Sequence, residues 1–267
     1  MAMAFFREDP NTSFELPGFV SPQTRPDEAS AAGPIPLIKA KLLIPDASGA
    51  LPRKWLTGVL KKSAQNAAAT MIVGRTGTGK TTLAAEFIRG RRDVSWYTID
   101  APDGDWRTFQ TYFRRAIFRD GKRAERAAKL PVPACDTPLD LFADLTAGLE
   151  LRSKRWPSLL VLDGIHHLFD RPWFHEFFEL LIASTPVDSH TLMLSRSKPP
   201  TPVWRMRSKQ VLNVIDEKLL AFSAAEASEL FASRGVDGVD VNAALATSFG
   251  HASALKEIVD SRRPAAA

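Results

Sequence analysis

The stretch Ala69-Thr70-Met71-Ile72-Val73-Gly74-Arg75-Thr76-Gly77-Thr78-Gly79-Lys80-Thr81-Thr82 decides how the rest of the chain is read. Its first five residues are apolar or β-branched without alternation, as in a short strand buried on both faces. Gly74 to Thr81 then fits G-x-x-x-x-G-K-[ST]. Glycines let backbone wrap closely around phosphate oxygens. The amides of Gly77 through Thr82 can turn inward as an anion nest at a helix start. Gly74, Arg75, Thr76, Gly77, Thr78, Gly79, Lys80, Thr81 and Thr82 are therefore the expected phosphate-binding residues. Lys80 would bridge the β- and γ-phosphates of a bound nucleotide, and the Thr81 hydroxyl would be a ligand of Mg2+. A predicted strand before the loop and a predicted helix after it, Lys80–Arg89, supply the context that the motif requires.

Outward from the loop, strand-like and helix-like segments alternate. Val94–Ile99, Ser158–Leu162, Thr191–Ser195 and Val211–Ile215 join Ala69–Val73 as five expected strands. Asp105–Arg119 carries Trp106, Phe109, Phe113 and Phe118 at helical spacing. Thr137 can cap a helix reaching Lys154, and Pro172 opens another over Trp173–Ala183. After Ser223 the pattern is helical to Asp260. Strands separated by helices imply parallel βαβ crossovers with helices on both faces. The expected fold is α/β of the P-loop NTPase kind. It has a five-stranded, mainly parallel sheet flanked by helices and a small C-terminal helical extension. The expected domains are a disordered tail over 1–33, the core over 34–220, and the extension over 221–262 packed on that core. Pro10, Pro17, Pro22 and Pro26 break any period in the tail, while Phe5, Phe6, Phe14 and Phe19 are its only large apolar anchors apart from isolated aliphatics.

In a parallel sheet, ligands bind beyond the carboxyl ends of the strands. Three polar residues fall there. Asp163 ends a buried strand, where a carboxylate is costly unless a cation pairs with it, and Mg2+ held through water is the natural partner. Arg196 follows TLMLS and can reach a γ-phosphate. Asp100 follows VSWYTI.

Composition narrows the class. The chain has 267 residues, 45% hydrophobic and 24% charged, a globular balance. No apolar run approaches the roughly 18–20 residues of a membrane helix, and the six apolar N-terminal residues fall short of a secretory core of about 7–15. One cysteine, Cys135, excludes an internal disulfide. A cytoplasmic protein with no membrane association is expected. The net charge is +5, yet residues 1–33 carry two arginines against five carboxylates, or −3. Arg114 to Lys129 holds seven basic residues, expected as a solvated helix end and loop. No base-reading module accompanies it, so direct nucleic-acid binding is not expected. Trp204-Arg205-Met206-Arg207 is expected to close a loop against the sheet. His166, His167 and His175 lack a metal-ligand spacing.

The ordered set of motifs resembles the ATPase module of the STAND signalling ATPases, a class of AAA-like P-loop ATPases, and most closely the MalT-type transcriptional activator branch. The resemblance spans roughly residues 35–260. IPLIKAKLLIP with Leu51-Pro52-Arg53 resembles the segment before the phosphate loop. VSWYTID with Trp106 and Phe109 resembles the second strand and its helix. LLVLDGIHHL resembles the Walker B stretch, His166 included, and LMLSRSKPP the sensor strand. Gly250-His251-Ala252 to Leu255 resembles a glycine-led helix near the module's end. The resemblance implies strand order 5-1-4-3-2, ATP preferred over GTP, adenine held near the pre-loop segment with Arg53 as a contact, and signalling through a protein partner or self-association.

One departure bears on catalysis. Family members often place a second acid directly after the Walker B aspartate, where this chain has Gly164. That acid polarises the attacking water, assistance worth about 10²–10⁴ in rate. His166 is the candidate substitute, and it joins Lys80 and Asp163 as the expected catalytic residues. Restoring the acid by Gly164→Asp or Gly164→Glu would raise hydrolysis, unless the glycine is needed for a positive φ. The expected function is an ATP-binding signalling module with slow or absent hydrolysis. A P-loop phosphotransferase using a lid near 119–126, and a nucleotide-dependent interaction protein without turnover, are the alternatives.

Overall fold

The computed structural model describes residue 35 and residues 37–118, 135–200 and 203–262. The 1–33 tail, the 119–126 lid candidate and most of the basic stretch lie outside the described residues. After a 3₁₀ turn at Lys39–Leu42, the elements in chain order are α1 (Lys54–Asn66), β1 (Ala69–Val73), α2 (Lys80–Phe87), β2 (Val94–Thr98), α3 (Trp106–Phe118), α4 (Pro138–Leu151), β3 (Leu159–Asp163), α5 (Phe174–Ser184), β4 (His190–Ser195), α6 (Val203–Ser208), β5 (Leu212–Ile215), α7 (Glu217–Leu220), α8 (Ala224–Ser233), α9 (Val241–Ser248) and α10 (Ala252–Arg262).

The five strands form one sheet in the order β2-β3-β4-β1-β5. Every neighbouring pair is parallel. This is the order 5-1-4-3-2 read from the other edge. The strands show no polar alternation because both faces are covered. Met71, Tyr97, Leu160, Leu162 and Met193 face one core, against Phe109 and Phe113 of α3, Phe142 of α4 and Phe177 of α5. Their sequence neighbours Ile72, Trp96, Val161, Leu192 and Leu194 face the other, against Leu56 and Leu60 of α1 and Leu83 and Phe87 of α2. The first core is aromatic at its centre, where the Phe177 ring meets Phe109 edge-on at 4.8 Å and Phe113 at 5.2 Å. Such pairs each add about 0.5–1.5 kcal/mol beyond burial.

Local chemistry sets several boundaries. Thr137 caps α4 with a reciprocal bond to Asp140, and Ser223 caps α8 in the same way with Glu226. α1 has no side-chain cap and no strong sequence signal, and the sequence reading did not find it. The helical run expected after Ser223 is three helices, broken at Gly235, Gly238 and Gly250, all at positive φ. They share a third apolar cluster built on Ala227, Phe231, Ala244, Leu255 and Val259.

Two surface expectations are corrected. Arg114 is not solvated: it is 5% exposed, paired with Asp144 and within 2.7 Å of the Cys135 sulfur. Its place on the inward side of α3 forces burial, and the acid from α4 meets its charge. Trp204 does not close against the sheet. Val203 and Met206 of α6 pack on the core, which turns Trp204 outward, 66% exposed. Among the described residues, no helix is long and apolar enough to cross a membrane.

Candidate nucleotide site

The registers Val73↔Ser195, Thr98↔Asp163 and Asp163↔Leu194 bring the carboxyl ends of β1, β4, β3 and β2 to one rim. The loop after β1 is tied to that rim where the Gly74 amide donates to the Ser195 carbonyl at 3.1 Å. Gly77 and Gly79 hold φ of +84° and +87°. These left-handed conformations strain any residue with a Cβ. Gly79 caps α2 without a side chain, so the amides that open the helix are left to a ligand.

Lys80 is buried. Its ammonium donates to the Gly74 carbonyl at 2.6 Å and the Arg75 carbonyl at 2.8 Å. Burial pulls its pKa down, opposed by the charge of Asp163. Thr81 donates its hydroxyl hydrogen to Asp163 Oδ2 at 2.8 Å. Burial pushes the Asp163 carboxyl up, while the Thr81 bond and the Lys80 and Arg196 charges pull it down. A carboxylate and a hydroxyl oxygen side by side at a strand end suit a hard, oxygen-seeking cation such as Mg2+.

A cleft of about 470 Å³ lies over this group, lined by Thr76, Gly77, Gly79, Lys80, Thr81 and Thr82 of the loop, by Asp163, Gly164 and His166, and by Arg196. Gly74, Arg75 and Thr78 are not among its lining residues. Arg75 turns outward: its side chain and amide both bond Glu217, at 2.9 and 3.0 Å. Thr78 is buried beneath the loop with its hydroxyl on the Arg75 carbonyl. Arg53 is absent from the phosphate cleft as well. It lines a second, more apolar cleft of about 590 Å³ that shares Gly79, Thr82, Ala252 and Lys256 with the first. There its guanidinium pairs with Glu226 at 3.0 Å, donates to the Leu220 and Ala221 carbonyls, and lies 4.2 Å from the Phe222 ring centroid. Asp100 also misses the phosphate cleft, its carboxylate being held by Lys41.

Sequence reasoning missed the contribution of α10. Its Ser253 amide donates to the Gly77 carbonyl at 2.9 Å, and Ala252, Ser253 and Lys256 line the phosphate cleft. The signal was Gly250-His251 ahead of a helix, which showed where α10 starts but not what it meets.

A family model described as an AAA domain matches residues 63–194. These residues run from the end of α1 through the phosphate loop and Walker B strand to β4. Residues 63–194 are thus similar to an AAA domain. The HTH-type transcriptional regulator MalT of Vibrio cholerae is 31% identical over 166 residues, which is 61% of this chain and 18% of MalT. The chain thus spans under a fifth of that relative. Among solved structures, a Walker-type ATPase of Pyrococcus abyssi superposes with a TM-score of 0.47 at 14% identity, over 76% of this chain and 65% of the other. The AMPPCP-bound DnaA of Aquifex aeolicus gives 0.45 at 13% identity, over 80% and 63%. Directly after Asp163, Gly164 holds φ of +92°. A Cβ placed on it would lie 2.3 Å from the Ile99 carbonyl oxygen.

Proposed function

We propose that this AAA-type module binds ATP with Mg2+, hydrolyses it slowly, and passes its nucleotide state to the C-terminal helices. The observation that carries the reading is the contact between the loop and α10. Gly77, whose backbone would wrap the phosphates, bonds Ser253, and an added Gly77 Cβ would meet the Ser253 hydroxyl at 2.2 Å. A loop that reshapes around phosphate therefore shifts α10. The apolar cleft beside the phosphate cleft suits a nucleobase, in keeping with ATP as the nucleotide. Thr81 would hold Mg2+ directly and Asp163 through water, and the ion would neutralise charge on the β- and γ-phosphates. Lys80 would exchange its two carbonyl partners for phosphate oxygens, a stronger, charge-assisted bond. The likeness to a transcriptional regulator supports a regulatory role, with a protein partner or a second copy reading the nucleotide state.

Gly164 favours a second reading, in which occupancy alone is the signal. Calorimetry with Mg-ATP, Mg-ADP and Mg-GTP tests the binding. Lys80→Ala is expected to weaken Mg-ATP by about tenfold or more, the worth of one charge-assisted contact. Unchanged affinity in a variant that still melts normally refutes the assignment.

A further inference from the structure

Asp163 is the one carboxylate among the described residues lining the phosphate cleft, and it already bonds Thr81. The position after it cannot carry an acid without striking the Ile99 carbonyl. The remaining side chains there with a ring nitrogen that could hold a water are His166 and His167, on the 3₁₀ turn Ile165–Leu168.

His166 has an unusual environment. Both ring nitrogens are shut off from solvent, and neither has a hydrogen-bond partner. A polar atom left so keeps its full desolvation penalty, and native proteins hold few of them. The ring packs against His167 with centroids 4.2 Å apart and planes tilted by 35°. The charged groups facing it are Lys80 and Arg196, both cationic, with His167 beside it. Together with burial they hold the imidazole neutral, so one nitrogen keeps a free lone pair.

Building on the proposed function, we propose that His166, once its ring turns a nitrogen into the cleft, holds and orients the water that attacks the nucleotide, in place of the acid that Gly164 excludes. In that step the water oxygen bonds the γ-phosphorus and the bond from γ-phosphorus to the β,γ-bridging oxygen breaks. The diphosphate leaves with the electron pair. The water proton passes to the acceptor nitrogen of His166 and from there to the released phosphate. A weakly basic imidazole positions water well and removes its proton poorly, which accords with slow turnover.

The test uses the full chain, with calorimetry of Mg-AMPPCP for binding and single-turnover release of phosphate from Mg-ATP for hydrolysis. His166→Ala is expected to lower the rate constant by about tenfold or more, with AMPPCP affinity within about twofold. His166→Asn, which keeps a donor and an acceptor, is expected to recover part of the rate, and it carries the test alone if His166→Ala does not fold. An unchanged rate in His166→Ala overturns the proposal, as does a parallel loss of AMPPCP affinity, which marks His166 as a phosphate or loop contact. Phosphate release by the unaltered chain no faster than by Lys80→Ala also overturns it. In that case, Lys80-dependent AMPPCP binding still separates this failure from failure of the nucleotide-binding reading.

Discussion

Placing an acid at position 164 is expected to damage the protein rather than to speed it. Gly164 lies at φ +92°, where a residue with a Cβ pays about 1–3 kcal/mol in backbone strain. The Cβ itself would sit 2.3 Å from the Ile99 carbonyl oxygen, a backbone atom that cannot rotate away. Relief requires the end of β2 to move off β3. That breaks the bond from the Ile99 amide to the Asp163 carbonyl, now 2.7 Å, and removes about 1 kcal/mol more. Gly164→Asp should therefore lose about 2–4 kcal/mol, which lowers Tm by about 5–15 °C in a domain of this size. Gly164→Ala should lose nearly as much, because strain and clash belong to the Cβ and not to the carboxylate. Urea denaturation of both variants, paired with calorimetry of Mg-ATP and phosphate release, reads the effect. A Gly164→Asp protein that melts within 2 °C of the parent and hydrolyses faster would refute this reasoning.

Three further outcomes follow from particular contacts. Arg53→Ala strands Glu226 and two backbone carbonyls in a largely buried site, so urea unfolding should show a loss of about 3 kcal/mol or more, and a loss below 1 would count against the Arg53–Glu226 tie. His190 is 4% exposed, with Nδ1–H on the Ala67 carbonyl and Nε2 accepting from Thr70, and burial pushes its pKa down to about 4 from 6.5. The unfolded chain therefore binds the proton first, so stability is full above about pH 6.5 and should fall by about 2 kcal/mol by pH 5. His190→Leu should flatten that slope, and an unchanged slope would place the titration elsewhere. Phe177→Ala, at the meeting point of the aromatic core, should cost about 3–5 kcal/mol by thermal or urea unfolding.

Which parts of the molecule were legible in the sequence follows from how local their determinants are. The five strands could be read because each is short, apolar and bounded by turn residues, and the phosphate loop because its glycines and Lys80 are needed by adjacent backbone geometry. Thr137 and Ser223 announced their helices because a capping box is complete within four residues. Helix α1 stayed hidden: it lacks a cap, contains Gly58, and presents only a thin stripe of Leu56, Val59 and Leu60.

The sequence by itself determined the class of fold, the chain order of its strands and the place of the glycine-rich loop from Gly74 to Thr82. Tertiary structure decided what each side chain could do. It gave the Arg53 guanidinium to Glu226, buried Arg114 against Asp144, turned Arg75 out to Glu217, set Ser253 on Gly77, and left His166 unpartnered in the cleft that Asp163 also lines. It also turned Gly164 from a missing acid into a position where no acid fits. The physical reason is range. Backbone conformation and capping depend on residues a few places apart, whereas a side chain's partner, burial and clearance depend on atoms the fold brings together from tens to more than a hundred residues away.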